Sequence, residues 1–168
     1  METPSAPGLE QLVRARRLQE LRDNQSLPLG VLGGLGGGAI GAALWALITS
    51  LTGFQIGWMA VGVGFLVGGG VRLLGRGVDR TFGVTGAGLA LAGCLAGNLL
   101  TFTVILARQY QMTLPAALSR LTPSLVLEMF RAWFSPMDLL FYAIAIYEGY
   151  RFSVVAVPEP AAPQSPAR

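Results

Sequence analysis

Residues 27–51 read LPLGVLGGLGGGAIGAALWALITSL, a stretch without a single charged side chain. A helix of about 20 apolar residues crosses the hydrocarbon core of a bilayer, so this stretch is long enough to span a membrane. Residues 54–74 and 82–107 have the same character, with Arg72 as their only charged residue. The three stretches predict three membrane-spanning helices, and the short turns between them make neighbouring helices antiparallel.

The composition of the chain points to the same class of protein. Of its 168 residues, 52% are hydrophobic and only 12% are charged, with a mean hydropathy of +0.56, whereas soluble domains have about 25% charged residues. All basic residues are arginines and they are scattered, which argues against a nucleic-acid partner despite the net charge of +3. The lipid bilayer is therefore the expected environment.

The absence of histidine and the single cysteine exclude several kinds of catalytic and metal-binding site. The chain has no histidine and only one cysteine, Cys94, which excludes imidazole acid–base catalysis, a disulfide within the chain and a cysteine-rich metal centre. No nucleophile and base stand at a suitable spacing. We expect no catalytic residues, no metal and no cofactor, and we do not expect an enzyme.

A fourth span is predicted at residues 136–157, where Ser135 is the cap, Pro136 the first helical residue and Asp138 the partner in a capping box. Within residues 108–135, Pro115 and Pro123 interrupt the pattern and Arg120, Glu128 and Arg131 make a crossing costly, so we predict that this segment does not span the membrane. Within it an amphipathic helix is expected to start at Thr122 and Pro123 and to lie in the membrane interface. Its apolar face comprises Leu125, Val126, Met129, Phe130 and Trp133, opposite Glu128 and Arg131.

The two ends of the chain differ from this membrane domain of residues 27–157. Residues 1–26 are polar and predict a solvated cytoplasmic segment with a short helix. Residues 158–168 are rich in proline and alanine and predict a disordered tail. The expected architecture is an all-α membrane protein with four spans and one interfacial segment.

Arginine positions predict the orientation, because cytoplasmic loops retain positive charge. With the N-terminus inside, nine arginines lie on cytoplasmic segments, and only Arg108, Arg120 and Arg131 lie outside. This distribution predicts a multi-pass protein of a bacterial inner membrane with both termini in the cytoplasm.

Glycines form a stripe on each of the first three spans. On a wheel of 100° per residue, the glycines of the first span fall within an arc of about 140°, except Gly36. Small residues at such spacing let helix backbones approach closely in lipid. Packing within the chain, a homo-oligomer interface and a glycine-lined path are all compatible with this pattern. The glycines predicted to pack are Gly30, Gly34, Gly37, Gly41, Gly57, Gly64, Gly68, Gly86, Gly93 and Gly97.

Polar residues inside the spans are the second group of candidates, because charges in a membrane are costly and are commonly functional. Asp138, Tyr142 and Glu148 share one side of the fourth span, and Glu148 is near mid-depth if this span reaches residue 157. Arg151, three residues on, is placed to pair with Glu148, and neighbouring helices would contribute Arg72 and Asn98. The alternative is that Asp138 only caps the helix and that Glu148 pairs with Arg151 near the cytoplasmic surface.

The segment Gly53-Phe54-Gln55-Ile56-Gly57-Trp58-Met59-Ala60 resembles a turn found in uncharacterised small bacterial multi-span inner-membrane proteins. The likeness continues in Leu91-Ala92-Gly93-Cys94-Leu95-Ala96-Gly97-Asn98, in Pro136-Met137-Asp138-Leu139-Leu140-Phe141-Tyr142 and in Tyr147-Glu148-Gly149-Tyr150. The resemblance covers about residues 28–153 and implies a multi-span inner-membrane protein without implying an activity.

These patterns predict a non-enzymatic membrane subunit or scaffold that assembles through its glycine faces, either as a homo-oligomer or within a larger membrane complex. The alternative prediction is a small channel or transporter that uses Asp138 and Glu148 on the fourth span.

Overall fold

The computed structural model describes residues 6–53, 57–133 and 135–156, and these residues form helices and turns without a strand. The predicted tail at residues 158–168 and residues 54–56 of the predicted turn lie outside the described part of the chain. The helices are α1 (Ala6–Asp23), α2 (Leu27–Thr52), α3 (Trp58–Gly75), α4 (Arg80–Gln109), α5 (Leu114–Ser119), α6 (Pro123–Trp133) and α7 (Pro136–Ser153).

Local sequence determines where these helices stop. α2 has a proline in its first turn, where backbone N–H groups have no acceptor within the helix. The N–H that proline lacks therefore costs no helical hydrogen bond. It ends at Gly53, whose positive φ of 71° allows its N–H to donate to the carbonyl of Thr49 at 2.9 Å. α3 ends in the same way at Arg76, with φ of 49° and a bond to the Arg72 carbonyl at 3.0 Å.

Helices α2, α3, α4 and α7 form one bundle. α3 and α4 pack against each other at its centre, and α2 and α7 each pack against both of them. α2 and α7 therefore lie on opposite sides of the central pair. The buried core consists of Trp45, Ala60, Val63, Val67, Val71, Phe82, Ala90, Cys94, Tyr142 and Ala145.

Three of these helices, α2, α3 and α4, are long and apolar enough to cross a membrane. Many of their leucines are exposed on the outside of the bundle, as expected for a surface in contact with lipid. α7 carries three charged residues in eighteen and reaches this standard only when it is joined with α6 across a bend of 106°. The described helices thus provide three candidate spans, or four if the bent pair counts as one.

The segment between α4 and α7 is not a single long helix. α5 packs back against the end of α4, with Ala117 fully buried. On α6, Leu125, Val126, Met129 and Phe130 are partly buried, and Glu128 and Arg131 are exposed. The ring of Phe130 lies 6.3 Å from that of Phe102 on α4, between centroids, which places the apolar face of α6 toward the bundle.

The end of α7 corrects one expectation. The helix stops at Ser153, short of the predicted residue 157, because Val154 is extended and Val155 donates its N–H to the carbonyl of Gly77 at 2.8 Å. Glu148 is then five residues from the helix end, or about 7.5 Å along the helix axis at 1.5 Å per residue.

Candidate functional site

Glycines bring α2 against α3 along one line of contact. A Cβ atom added to Gly33 would overlap the carbonyl of Gly70, and one added to Gly37 would overlap the carbonyl of Leu66. At Gly41 the added atom would lie 3.0 Å from a methyl group of Val63. The two backbones are therefore in direct contact over this half of α2, and any larger residue there must separate them.

Glycines also seat α7 on the central pair. A Cβ atom at Gly64 of α3 would lie 2.5 Å from the carbonyl oxygen of Ala145, and one at Gly68 would lie 3.1 Å from that of Glu148. On the other side, a Cβ at Gly149 would lie 2.7 Å from the carbonyl oxygen of Gly86 on α4. α7 is thus held between two glycine-bearing helices.

The ten glycines singled out in the sequence all lie close to another helix, within 4 Å of where a Cβ would stand. Gly36, the exception on the wheel, has no atom within that distance among the described residues. Several equally close glycines were not singled out, including Gly70, Gly75 and Gly149. A sequence wheel ranks glycines within one helix, but the partner helix decides which of them make contact.

Of the polar residues predicted as candidates, the fold brings Asn98 and Tyr142 into contact. Both are buried, and the Asn98 amide of α4 donates to the Tyr142 hydroxyl of α7. One turn before Asn98, the Cys94 thiol points to the carbonyl of Ala60 on α3 at 3.8 Å. This polar group connects three helices inside the core.

The charged candidates do not join that group. Asp138 accepts from the N–H of Ser135 at 2.8 Å and, with the Ser135 hydroxyl, completes the predicted capping box. Arg151 donates to the Tyr147 hydroxyl at 3.2 Å. Within the described part of the chain, Glu148 forms no ion pair with Arg151 or with Arg72.

A polar cluster at the α3–α4 turn was missed in the sequence. Asp79 accepts from the guanidinium of Arg22 at 3.2 Å and from the amide of Gln25 at 2.5 Å. The N–H of Ser26 donates to the Gly75 carbonyl at 2.9 Å. Together with the bond of Val155 to this turn, these contacts place the start of α2, the α3–α4 turn and the end of α7 at one end of the bundle, here called the turn end.

The opposite end of the bundle contains two buried polar atoms that lack partners. Trp45 is 1% exposed and packs against Gly97, yet its indole nitrogen has no hydrogen-bond partner among the described residues. The same holds for the hydroxyl of Thr49, one turn later on α2. Nearby, Arg108 of α4 donates to the carbonyl of Ser50 at 2.6 Å.

Two pairs of polar groups in this bundle are joined by hydrogen bonds. Over residues 6–53, 57–133 and 135–156, no three histidine, cysteine, aspartate or glutamate side chains are grouped as they are around a metal ion. The paired groups, Asn98 with Tyr142 and Asp138 with Ser135, both stabilise helix contacts or helix ends. In comparisons with protein-family models, curated proteins and solved structures, no match to this chain is found.

Proposed function

We propose that this chain is a non-enzymatic, multi-pass subunit or scaffold of a membrane assembly. The observation that carries the proposal is that some of its glycines lie at contacts inside the bundle and others lie on the outer surface of the bundle. Most of the glycines lie at contacts between helices of the bundle, whereas the helical glycines Gly36, Gly62, Gly69 and Gly88 have no atom within 4 Å of an added Cβ among the described residues. Gly62 and Gly69 are the two of these that lie on one helix, α3. These two glycines leave a recessed outer surface for a further helix.

We infer that α7 is the fourth span, because it runs beside α3 for the whole length of that helix. The ring of Phe141 lies against Gly57 before the start of α3, and Phe152 lies against Gly68. Beyond the end of α3, Val155 bonds to Gly77. At 1.5 Å per residue, the eighteen residues of α7 extend about 27 Å, close to the thickness of a bilayer core.

The turn end is proposed to face the cytoplasm of a bacterial cell. Ser26 and Val155 both bond to the α3–α4 turn, so the chain enters and leaves the bundle on one side. Arg22, Arg76 and Arg80 lie at the same end. Positive charge is retained on the cytoplasmic side, which supports this orientation.

The assembly surface is proposed to be the outer face of α3. Gly62, Phe65 and Gly69 follow one another at spacings of three and four residues, so they share one side of the helix. Phe65 is 55% exposed and packs edge-on against Phe152 at 4.9 Å between ring centroids. A ring flanked by two recesses offers a helix of a second copy more contact than a flat lipid-facing surface.

The channel or transporter alternative has weaker support. Asp138 and Glu148 lie ten residues apart, or about 15 Å along α7, near opposite ends of the helix. The carboxylate of Asp138 already accepts a bond from the backbone of Ser135. The buried polar pair, Asn98 and Tyr142, is uncharged. These features favour the scaffold proposal over an ion path.

The assembly mass in gentle detergent tests the proposal. We expect the full chain to be recovered in complexes larger than a monomer, and the double variant Gly62→Leu, Gly69→Leu to shift to a smaller mass because leucines fill the recesses. Gly36→Leu is the matched control, since Gly36 is equally open but lies on α2, outside the proposed assembly surface. A monomeric parent chain, or equal masses for the double variant and the parent, would contradict the proposal.

A further inference from the structure

A cleft of about 540 Å³ opens at the turn end between the start of α4 and the last turns of α7. Its lining contains two arginines, two tyrosines and two valines and no acidic residue. The lining residues are Val78, Arg80, Tyr147, Tyr150, Arg151 and Val154.

The two arginines of this cleft are free to bind an anion. Within the described part of the chain, neither Arg80 nor Arg151 forms an ion pair with a carboxylate. Two acidic residues adjoin lining residues in the sequence: Asp79 is bound by Arg22 and Gln25, and Glu148 forms no ion pair with Arg151 among the described residues. The positive charge of the cleft is therefore not neutralised by the cluster beside it.

The tyrosines give the cleft a fixed shape. Tyr150 packs against Gly83 of α4, where an added Cβ would lie 2.7 Å from the ring, so this ring joins α7 to α4. Tyr147, which is 55% exposed, accepts a hydrogen bond from the guanidinium of Arg151 and thereby orients it. Tyrosine and arginine at the end of a span are typical of the headgroup region of a bilayer.

We propose that this cleft binds the phosphate headgroup of an anionic phospholipid. Guanidinium groups bind phosphate oxygens through paired hydrogen bonds, and two arginines line this cleft at the expected membrane surface. Val78 and Val154 provide apolar surface for the glycerol and the first methylenes of a lipid, which a soluble phosphate would leave uncovered. Basic pockets at the ends of spans bind such headgroups in this way. The inference concerns lipid binding by a single chain and does not depend on the proposed assembly.

Native mass spectrometry of the full chain with phosphatidylglycerol or phosphatidylcholine tests the site. We expect phosphatidylglycerol to bind more tightly, and Arg80→Gln and Arg151→Gln each to weaken that binding about fivefold. The matched control is Arg76→Gln, which removes the same charge at the same end but outside the cleft. Binding close to that of the parent is expected for this control.

Three results would overturn the proposal. Equal affinity for the two lipids would show that the headgroup charge is not recognised. An equal loss of phosphatidylglycerol binding in Arg76→Gln and Arg80→Gln would show that the effect comes from the overall positive charge of this end of the bundle and not from the cleft. Displacement of the lipid by millimolar inorganic phosphate would assign the cleft to a soluble anion, whereas retention of the lipid supports the proposed source.

Discussion

The two halves of α2 pack in opposite ways. In the glycine half, residues 30–41, the backbone itself touches α3, as at Gly33 and Gly70. In the tryptophan half, residues 42–52, a large ring fills the space, and Trp45 lies against Gly97 of α4. α2 therefore contacts its neighbours through glycines, which have no side chain, at one end and through a large side chain, Trp45, at the other.

The difference matters because the hydrophobic effect does not hold helices together in lipid. Contacts between helices must replace contacts with lipid chains, and both halves of α2 do so with dispersion at close range. The glycine half leaves few side-chain polar atoms to satisfy. The tryptophan half buries the indole nitrogen of Trp45 and the hydroxyl of Thr49 without partners among the described residues. Filling a gap with a large side chain thus has a polar cost that close backbone contact avoids.

Trp45→Ala is expected to have the largest effect on the tryptophan half. The indole ring is 1% exposed, and its removal leaves a cavity against Gly97. Truncation of a buried tryptophan lowers the free energy of unfolding by about 3–5 kcal/mol. Thermal unfolding of the purified chain in detergent measures the loss.

Trp58→Ala is the control for this change, because Trp58 is 66% exposed at the start of α3 and contacts Phe141 at the surface. A much smaller loss of stability is expected for it. If both variants unfold at the same temperature, the ring of Trp45 does not fill the interior in the way described.

Gly33→Ala tests the glycine half and is expected to have an intermediate effect. A single methyl group there would overlap the carbonyl of Gly70, so α2 and α3 must move apart. Overpacking of this kind costs about 1–3 kcal/mol. Gly36→Ala, three residues later on the open side of α2, should be neutral or slightly stabilising, because alanine favours helix over glycine by up to about 1 kcal/mol. Equal melting temperatures for the two variants would show that the backbone contact is absent.

The sequence predicts the glycine half better than the tryptophan half. Period and composition are properties of one helix, and they are enough to place the glycines of α2 on one side and Gly36 on the other. The three long apolar helices α2, α3 and α4, and the partly buried face of α6, follow from the same kind of local pattern. The capping box at Ser135 and Asp138 is also local, and it forms as predicted.

Contacts between distant residues were not predictable in this way. Asp79 and Gln25 are 54 residues apart, and nothing near either of them in the sequence indicates the other. Asn98 and Tyr142 were each recognised as candidates, but their pairing depends on the register of α7 against α4. The end of α7 was predicted too late in the chain because Val155 leaves the helix to bond with Gly77, a contact that the apolar run does not reveal.

Thr49→Val is the smallest change and tests the polar cost in the tryptophan half. A buried threonine of a helix normally donates to the carbonyl four residues earlier, as Thr101 does to Gly97 at 2.8 Å. The Thr49 hydroxyl is 4% exposed and has no such partner within the described residues. Valine keeps the shape of the side chain and removes the hydroxyl, so it should raise the free energy of unfolding by about 1 kcal/mol.

Thr101→Val is the control: it removes a bonded hydroxyl and should lower the free energy of unfolding by roughly the same amount, since a hydrogen bond is lost. Thermal unfolding of the two variants under the same conditions tests this, because the expected changes in stability have opposite signs. A loss of stability in both would mean that the Thr49 hydroxyl is satisfied in the folded protein, and the two halves of α2 would then differ in shape but not in polar cost.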